Sequence, residues 1–186
     1  MKRAIILHGT LGSPEGNWFR WLEQRLAEAG LEVWLPQLPN ADQPSLRTWL
    51  DYIPKSCPFA LDANTLIVGH SSGAICATML LQEHTDIGAV VGVSVFCDNS
   101  LNWSPNALLF DVAFDWETLR TASDRLLYIH SNDDPYVPLQ KAVYVAAQTG
   151  AELLVWPEQG HFNLEKSDTY KEFPALLKEI KERKYI

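Results

Sequence analysis

Thr65-Leu66-Ile67-Val68-Gly69-His70-Ser71-Ser72-Gly73-Ala74-Ile75-Cys76 is the stretch on which the reading of this chain turns. An apolar run leads into Gly-x-Ser-x-Gly, and a small-residue run follows, the context of a strand that turns sharply into a helix. Gly69 and Gly73 leave out the side chains that would keep such a turn from closing, and the serine between them takes a strained backbone conformation. That turn presents the Ser71 hydroxyl at the sheet edge, at the head of the helix. There the Ser72 backbone N–H is placed to stabilise a developing oxyanion.

A serine hydroxyl is a weak nucleophile unless a base takes its proton and an acid orients the base. On a strand-turn-helix scaffold of this kind the chain order is Ser, then Asp or Glu, then His, each on a loop after its own strand. The sequence offers Ser131-Asn132-Asp133-Asp134-Pro135 after a fifth apolar run and Pro157-Glu158-Gln159-Gly160-His161-Phe162 after a sixth. Among His8, His70, His84, His130 and His161, His161 alone stands past the last strand, and it is the expected base. Asp134, just before Pro135, is the expected acid, with Asp133 capping the turn. Asp133 itself, or Asp98 after the fourth run, could also supply the carboxylate. A second oxyanion donor is expected from His8-Gly9-Thr10-Leu11-Gly12, through the Thr10 N–H. This loop is not G-x-G-x-x-G and no G-K-[ST] follows it, so neither nucleotide nor other cofactor is implied. No metal-binding pattern appears.

Working outward, residues 4–8, 31–35, 65–68, 89–96, 126–130 and 152–156 read as six strands, nearly continuous in Val, Ile and Leu as in a parallel sheet covered on both faces. Helices are expected over 18–29, 45–52, 72–83, 139–149 and 169–182. Repeated β-α-β order predicts an α/β fold, a three-layer αβα sandwich with about six mostly parallel strands, built as one domain over 1–186. Residues 97–115 carry Trp103, Leu108, Leu109, Phe110 and Phe114 among polar residues and read as a small cap. Trp103, Phe110 and Phe114, with Phe162 beside the base, are expected to line an apolar substrate pocket; the competing reading is that they simply cover the sheet.

Composition sets the remaining bounds. Of 186 residues, 47% are hydrophobic and 20% charged, which supports a packed core. The 15 Lys and Arg against 23 Asp and Glu give a net charge of −8, poor for a phosphate backbone, so nucleic acid is not an expected partner. No apolar run approaches the ~20 residues that span a bilayer, so no membrane association is expected. The opening apolar run is too short for a secretory leader. Cys57, Cys76 and Cys97 cannot all pair with one another and match no zinc pattern. The expected compartment is the cytoplasm.

Taken together, His8-Gly9, Gly69-His70-Ser71-Ser72-Gly73, Asp133-Asp134-Pro135 and Gly160-His161-Phe162 resemble the small α/β-hydrolases related to retinoblastoma-binding protein 9 and bacterial YdeN. Asn17-Trp18-Phe19-Arg20-Trp21-Leu22 resembles that family's Trp-rich first helix, and Leu38-Pro39-Asn40 with Trp49-Leu50-Asp51 its segment after the second strand. The resemblance implies a compact hydrolase core without the leading antiparallel strands of larger relatives, with Ser71, Asp134 and His161 as its triad. The expected function is cleavage of a small-molecule carboxylic ester or amide through an acyl-enzyme on Ser71. A protein-binding module using residues 103–116, or an acyltransferase, are the other readings of the same residues.

Overall fold

A computed structural model describes residues 2–98 and 109–186. Among the described residues, six strands form one sheet in the order β2-β1-β3-β4-β5-β6. They are β1 Arg3–Leu7, β2 Glu32–Trp34, β3 Thr65–His70, β4 Ala89–Val93, β5 Leu126–Ser131 and β6 Glu152–Trp156. Every pairing is parallel, with Ile5 opposite Ile67, Val68 opposite Val91 and Ile129 opposite Leu154. The helices are α1 Phe19–Glu28, α2 Leu46–Ser56, α3 Ser72–Glu83, α4 Trp116–Arg120, α5 Leu139–Thr149 and α6 Pro174–Glu182.

Alternate residues of each strand point to opposite faces, so the sheet feeds two cores. Ile5, Leu7, Ile67, Val90 and Tyr128 pack under α2, α3 and α5. Ala4, Ile6, Leu66, Val68, Val91 and Ile129 pack under α1 and α6, with Trp18, Phe162 and Phe173 between them. The three expected layers follow directly from that alternation.

Three departures from the sequence reading have local causes. β4 stops at Val93 rather than Phe96, because Ser94 takes φ +57 and breaks the ladder. The last helical segment divides into a 3₁₀ turn, Asp168–Lys171, and α6. Phe173 precedes a proline and is held out of the helical region at φ −143 and ψ 67, while Pro174 opens α6 at its first turn. The short α4, capped by Asp115 accepting from the Thr118 N–H at 3.0 Å, was not expected. Of the cap expected over 97–115, residues 99–108 lie outside the described residues. Its flanks fold onto the core: Leu109 is buried, the Phe110 ring meets Phe96, and Phe114 stacks on Trp116 with centroids 4.4 Å apart.

Candidate active site

The turn between β3 and α3 holds Ser71 at φ 57 and ψ −124, a region that L-residues seldom occupy. The flanking glycines permit it. A Cβ on Gly69 would lie 2.3 Å from the Gly73 carbonyl oxygen, and one on Gly73 would lie 2.4 Å from that of Leu7. Ser71 therefore stands at the carboxyl end of β3 on the floor of a cavity of about 600 Å³. Among the described residues, Thr10, Leu11, Phe19, Phe96, Tyr136, Val137, His161 and Leu164 also line it.

The acid and base loops interlock residue by residue. Ser131 Oγ accepts the Gln159 N–H at 2.9 Å, Asn132 Oδ1 the Glu158 N–H at 2.9 Å and Asp133 Oδ1 the Gly160 N–H at 2.7 Å. Asp134 Oδ2 then accepts His161 Nδ1–H at 2.7 Å. Because an ionised carboxylate can only accept, this bond leaves the His161 Nε2 lone pair on the side away from Asp134. Asp134 also accepts hydrogen bonds from Ser94 Oγ–H at 2.9 Å and from the N–H groups of Tyr136 and Val137 at 3.0 and 2.9 Å, and His130 Nε2 lies 3.8 Å from its Oδ2. Burial alone would raise the Asp134 pKa, but the hydrogen bonds from His161 and from those amides outweigh it and hold the group below its ordinary value. Asp133 instead donates no geometry to the imidazole: it takes the Ser131 hydroxyl, the Gly160 amide and the Lys166 ammonium. Asp98 is turned toward Lys141, paired through both oxygens at 2.8 Å.

Behind these groups stand histidines whose roles the sequence did not reveal. His70 is buried, and its Nε2–H donates to the His161 carbonyl at 2.7 Å. Its ring lies 4.8 Å from that of His161 and is wedged against Trp18 and Phe19. Burial, with the His161 charge adding to it, pushes the His70 pKa down to about 3, so it stays a neutral donor. His130 Nε2–H holds the Val137 carbonyl at 2.9 Å, and burial lowers its pKa too. His8 Nε2 accepts the Leu38 N–H at 3.0 Å, which leaves Nδ1–H to hold the Gly9 carbonyl at 2.9 Å. The G-x-S-x-G neighbour His70 and the strand-end His8 and His130 were the available signals, each at the carboxyl end of its strand.

The oxyanion side departs from expectation. The Thr10 N–H donates to Ser72 Oγ at 2.7 Å, so this donor is engaged by a neighbouring side chain instead of standing open toward Ser71. The Ser72 N–H, at the head of α3, makes no hydrogen bond among the described residues, and nor does the Ser71 hydroxyl. The aromatic pocket also needs correction. Phe162 is fully buried against Tyr170 and Phe173 in the core. Phe110 and Phe114 pack against the core and do not line the cavity: Phe110 stands behind the lining residue Phe96, and Phe114 stacks on Trp116. Trp103 lies outside the described residues. Among the described residues, the apolar wall is supplied by Leu11, Phe19, Phe96, Val137 and Leu164.

A serine on a strained turn after a central parallel strand, with a His–Asp pair delivered by the next strands' loops, is the layout of an α/β-hydrolase. The comparisons agree, and the chain belongs to the serine hydrolase family, whose model matches residues 4–182. It is 31% identical over 170 residues to YdeN of Bacillus subtilis (strain 168), covering 87% of this chain and 86% of that protein. It is 25% identical over 183 residues to the serine hydrolase RBBP9 of Rattus norvegicus, covering 96% and 94%. The crystal structure of the B. subtilis ydeN product superposes with a TM-score of 0.82 at 26% identity, over 98% of both chains. Est1E of Butyrivibrio proteoclasticus, solved with ferulic acid bound, shares the fold at a TM-score of 0.69 and 19% identity, over 98% of this chain and 87% of that one. No helix of the described residues is long and apolar enough to cross a membrane.

Proposed function

We propose that this hydrolase cleaves a small-molecule carboxylic ester, or an amide, through an acyl-enzyme on Ser71, in one domain over 1–186. The observation that carries the reading is His161: its Nδ1–H is tied to Asp134 at 2.7 Å while its ring lines the cavity that Ser71 floors. His161 Nε2 takes the Ser71 proton as Oγ attacks the substrate carbonyl carbon. The negative charge that develops on the carbonyl oxygen is met by the Ser72 N–H. The Thr10 N–H joins it on leaving the Ser72 hydroxyl. Collapse expels the alcohol with the proton from His161, and water, deprotonated by the same imidazole, then frees the acid. Leu11, Phe19, Phe96, Val137 and Leu164 favour an apolar group on the substrate. Cys57, Cys76 and Cys97 are all unpaired, which supports action in the reducing cytoplasm.

Labelling with a serine-reactive fluorophosphonate tests the assignment. Wild type should label, Ser71→Ala should not, and His161→Ala should label far more slowly. Labelling unchanged in Ser71→Ala removes the nucleophile. Added alcohol or amine acceptors separate hydrolysis from acyl transfer by product analysis.

A further inference from the structure

The wall of the cavity over Ser71 is uneven in charge. Among the described residues lining it, Glu165 is the one carboxylate, and none is Lys or Arg. Residues 99–108, outside the described ones, contain no Asp, Glu, Lys or Arg in their sequence. The nearby ammonium groups in sequence are engaged elsewhere: Lys166 with Asp133 at 2.9 Å and Lys141 with Asp98 at 2.8 Å. Glu165 is also anchored. The Tyr136 hydroxyl donates to its Oε2, a bond that joins the loop after β5 to the loop after β6. The Tyr136 and His161 rings form a T-shaped pair with centroids 5.1 Å apart, so the anchored carboxylate belongs to the same cavity as the candidate base. Glu165 Oε1 makes no hydrogen bond among the described residues.

We propose that Glu165 selects substrates by charge: the cavity takes esters whose apolar body carries a cationic group, such as a substituted ammonium, and rejects the matching carboxylates. This rests on the hydrolase reading of Ser71 and adds to it the class of substrate. Glu165 is exposed at the cavity rim, so salt screens its charge, and it acts on a substrate group seated within a few ångströms of it at low ionic strength. At such separations, attraction of a cation and repulsion of an anion together correspond to a preference of about tenfold at low salt.

Three p-nitrophenyl esters of equal length, with methyl, trimethylammonium and carboxylate ends, give the test through the ratio of kcat/KM. The cationic ester should exceed the anionic one by about tenfold in wild type at low salt. Glu165→Gln should bring the ratio close to one, and Glu165→Lys should invert it. Raising ionic strength from about 0.01 M to about 1 M should shrink the wild-type ratio. A parallel measurement needs no turnover: NMR titration of Ser71→Ala with hexyltrimethylammonium and with hexanoate should show the cation binding more tightly. That preference should be lost in the Ser71→Ala, Glu165→Gln double variant. Equal affinity for the two ions, or a preference untouched by Glu165→Gln, overturns the charge proposal. Loss of the hydrolase reading would show separately, as fluorophosphonate labelling that does not depend on Ser71.

Discussion

Asp134→Asn isolates the acid's contribution with little change of shape. The Tyr136 and Val137 amides both point at Asp134 Oδ1, at 3.0 and 2.9 Å, so the asparagine oxygen must occupy that position. Its NH₂ group then falls where Oδ2 was, facing Ser94 Oγ and His161 Nδ1. Two donors cannot face one another, so Nδ1 must become the acceptor and the imidazole proton moves to Nε2. The lone pair needed for the Ser71 proton is gone. In the serine-protease template the same exchange costs about 10⁴ in kcat, which is about 5 kcal/mol of barrier. A comparable loss is expected here in kcat/KM for p-nitrophenyl acetate, followed by release of nitrophenolate. Asp133→Asn is the control: it keeps an oxygen for the Gly160 amide and gives up the Lys166 ion pair, so a loss within about tenfold is expected. If Asp134→Asn loses less than tenfold, or Asp133→Asn loses as much, the assignment of the two carboxylates fails.

Other outcomes follow from the same contacts. Gly73→Ala should destabilise the fold by more than about 2 kcal/mol in urea, since its Cβ would sit 2.4 and 2.5 Å from the Leu7 and His8 carbonyl oxygens, both backbone. His70→Leu removes the donor to the His161 carbonyl and should lower kcat by about tenfold or more, while His70→Gln, able to donate there, should recover part of it. Stability should fall in mild acid. His70 is held neutral with its pKa near 3, against 6.5 when unfolded, so the unfolded chain binds the proton more readily. Its contribution is complete above pH about 6.5 and amounts to a loss of about 2 kcal/mol by pH 5. His8 and His130 lean the same way, and a urea midpoint equal at pH 7 and pH 5 would contradict all three.

The sheet was legible because its four inner strands are buried on both faces. Runs such as Ile67-Val68 and Val90-Val91 admit few alternatives once glycines and polar segments bound them. Ser71 was legible for a steric reason, since Gly69 and Gly73 have few other uses at that spacing. His161 and Asp134 followed from chain order. The division of labour within Asp133-Asp134 depends on which carboxylate the chain turns inward, and Pro135 was the one local hint. For Phe110, Phe114 and Phe162 the sheet-covering reading holds, because size alone cannot tell a core ring such as Phe162 from a cavity wall such as Phe96. Ser72 and Thr10 were read through their backbone amides, and the bond from one residue's N–H to the other's hydroxyl is a tertiary contact with no trace along the chain.

The four rungs that join Ser131, Asn132, Asp133 and Asp134 to the segment 158–161 make the lengths of those two loops interdependent. Dropping or adding one residue in either loop would shift the partners by a place and present a backbone amide, or nothing, to the carboxylate meant for the imidazole. Variation among enzymes built this way is therefore expected to conserve the spacing on both sides together and to concentrate insertions elsewhere around the cavity, where no such pairing counts residues.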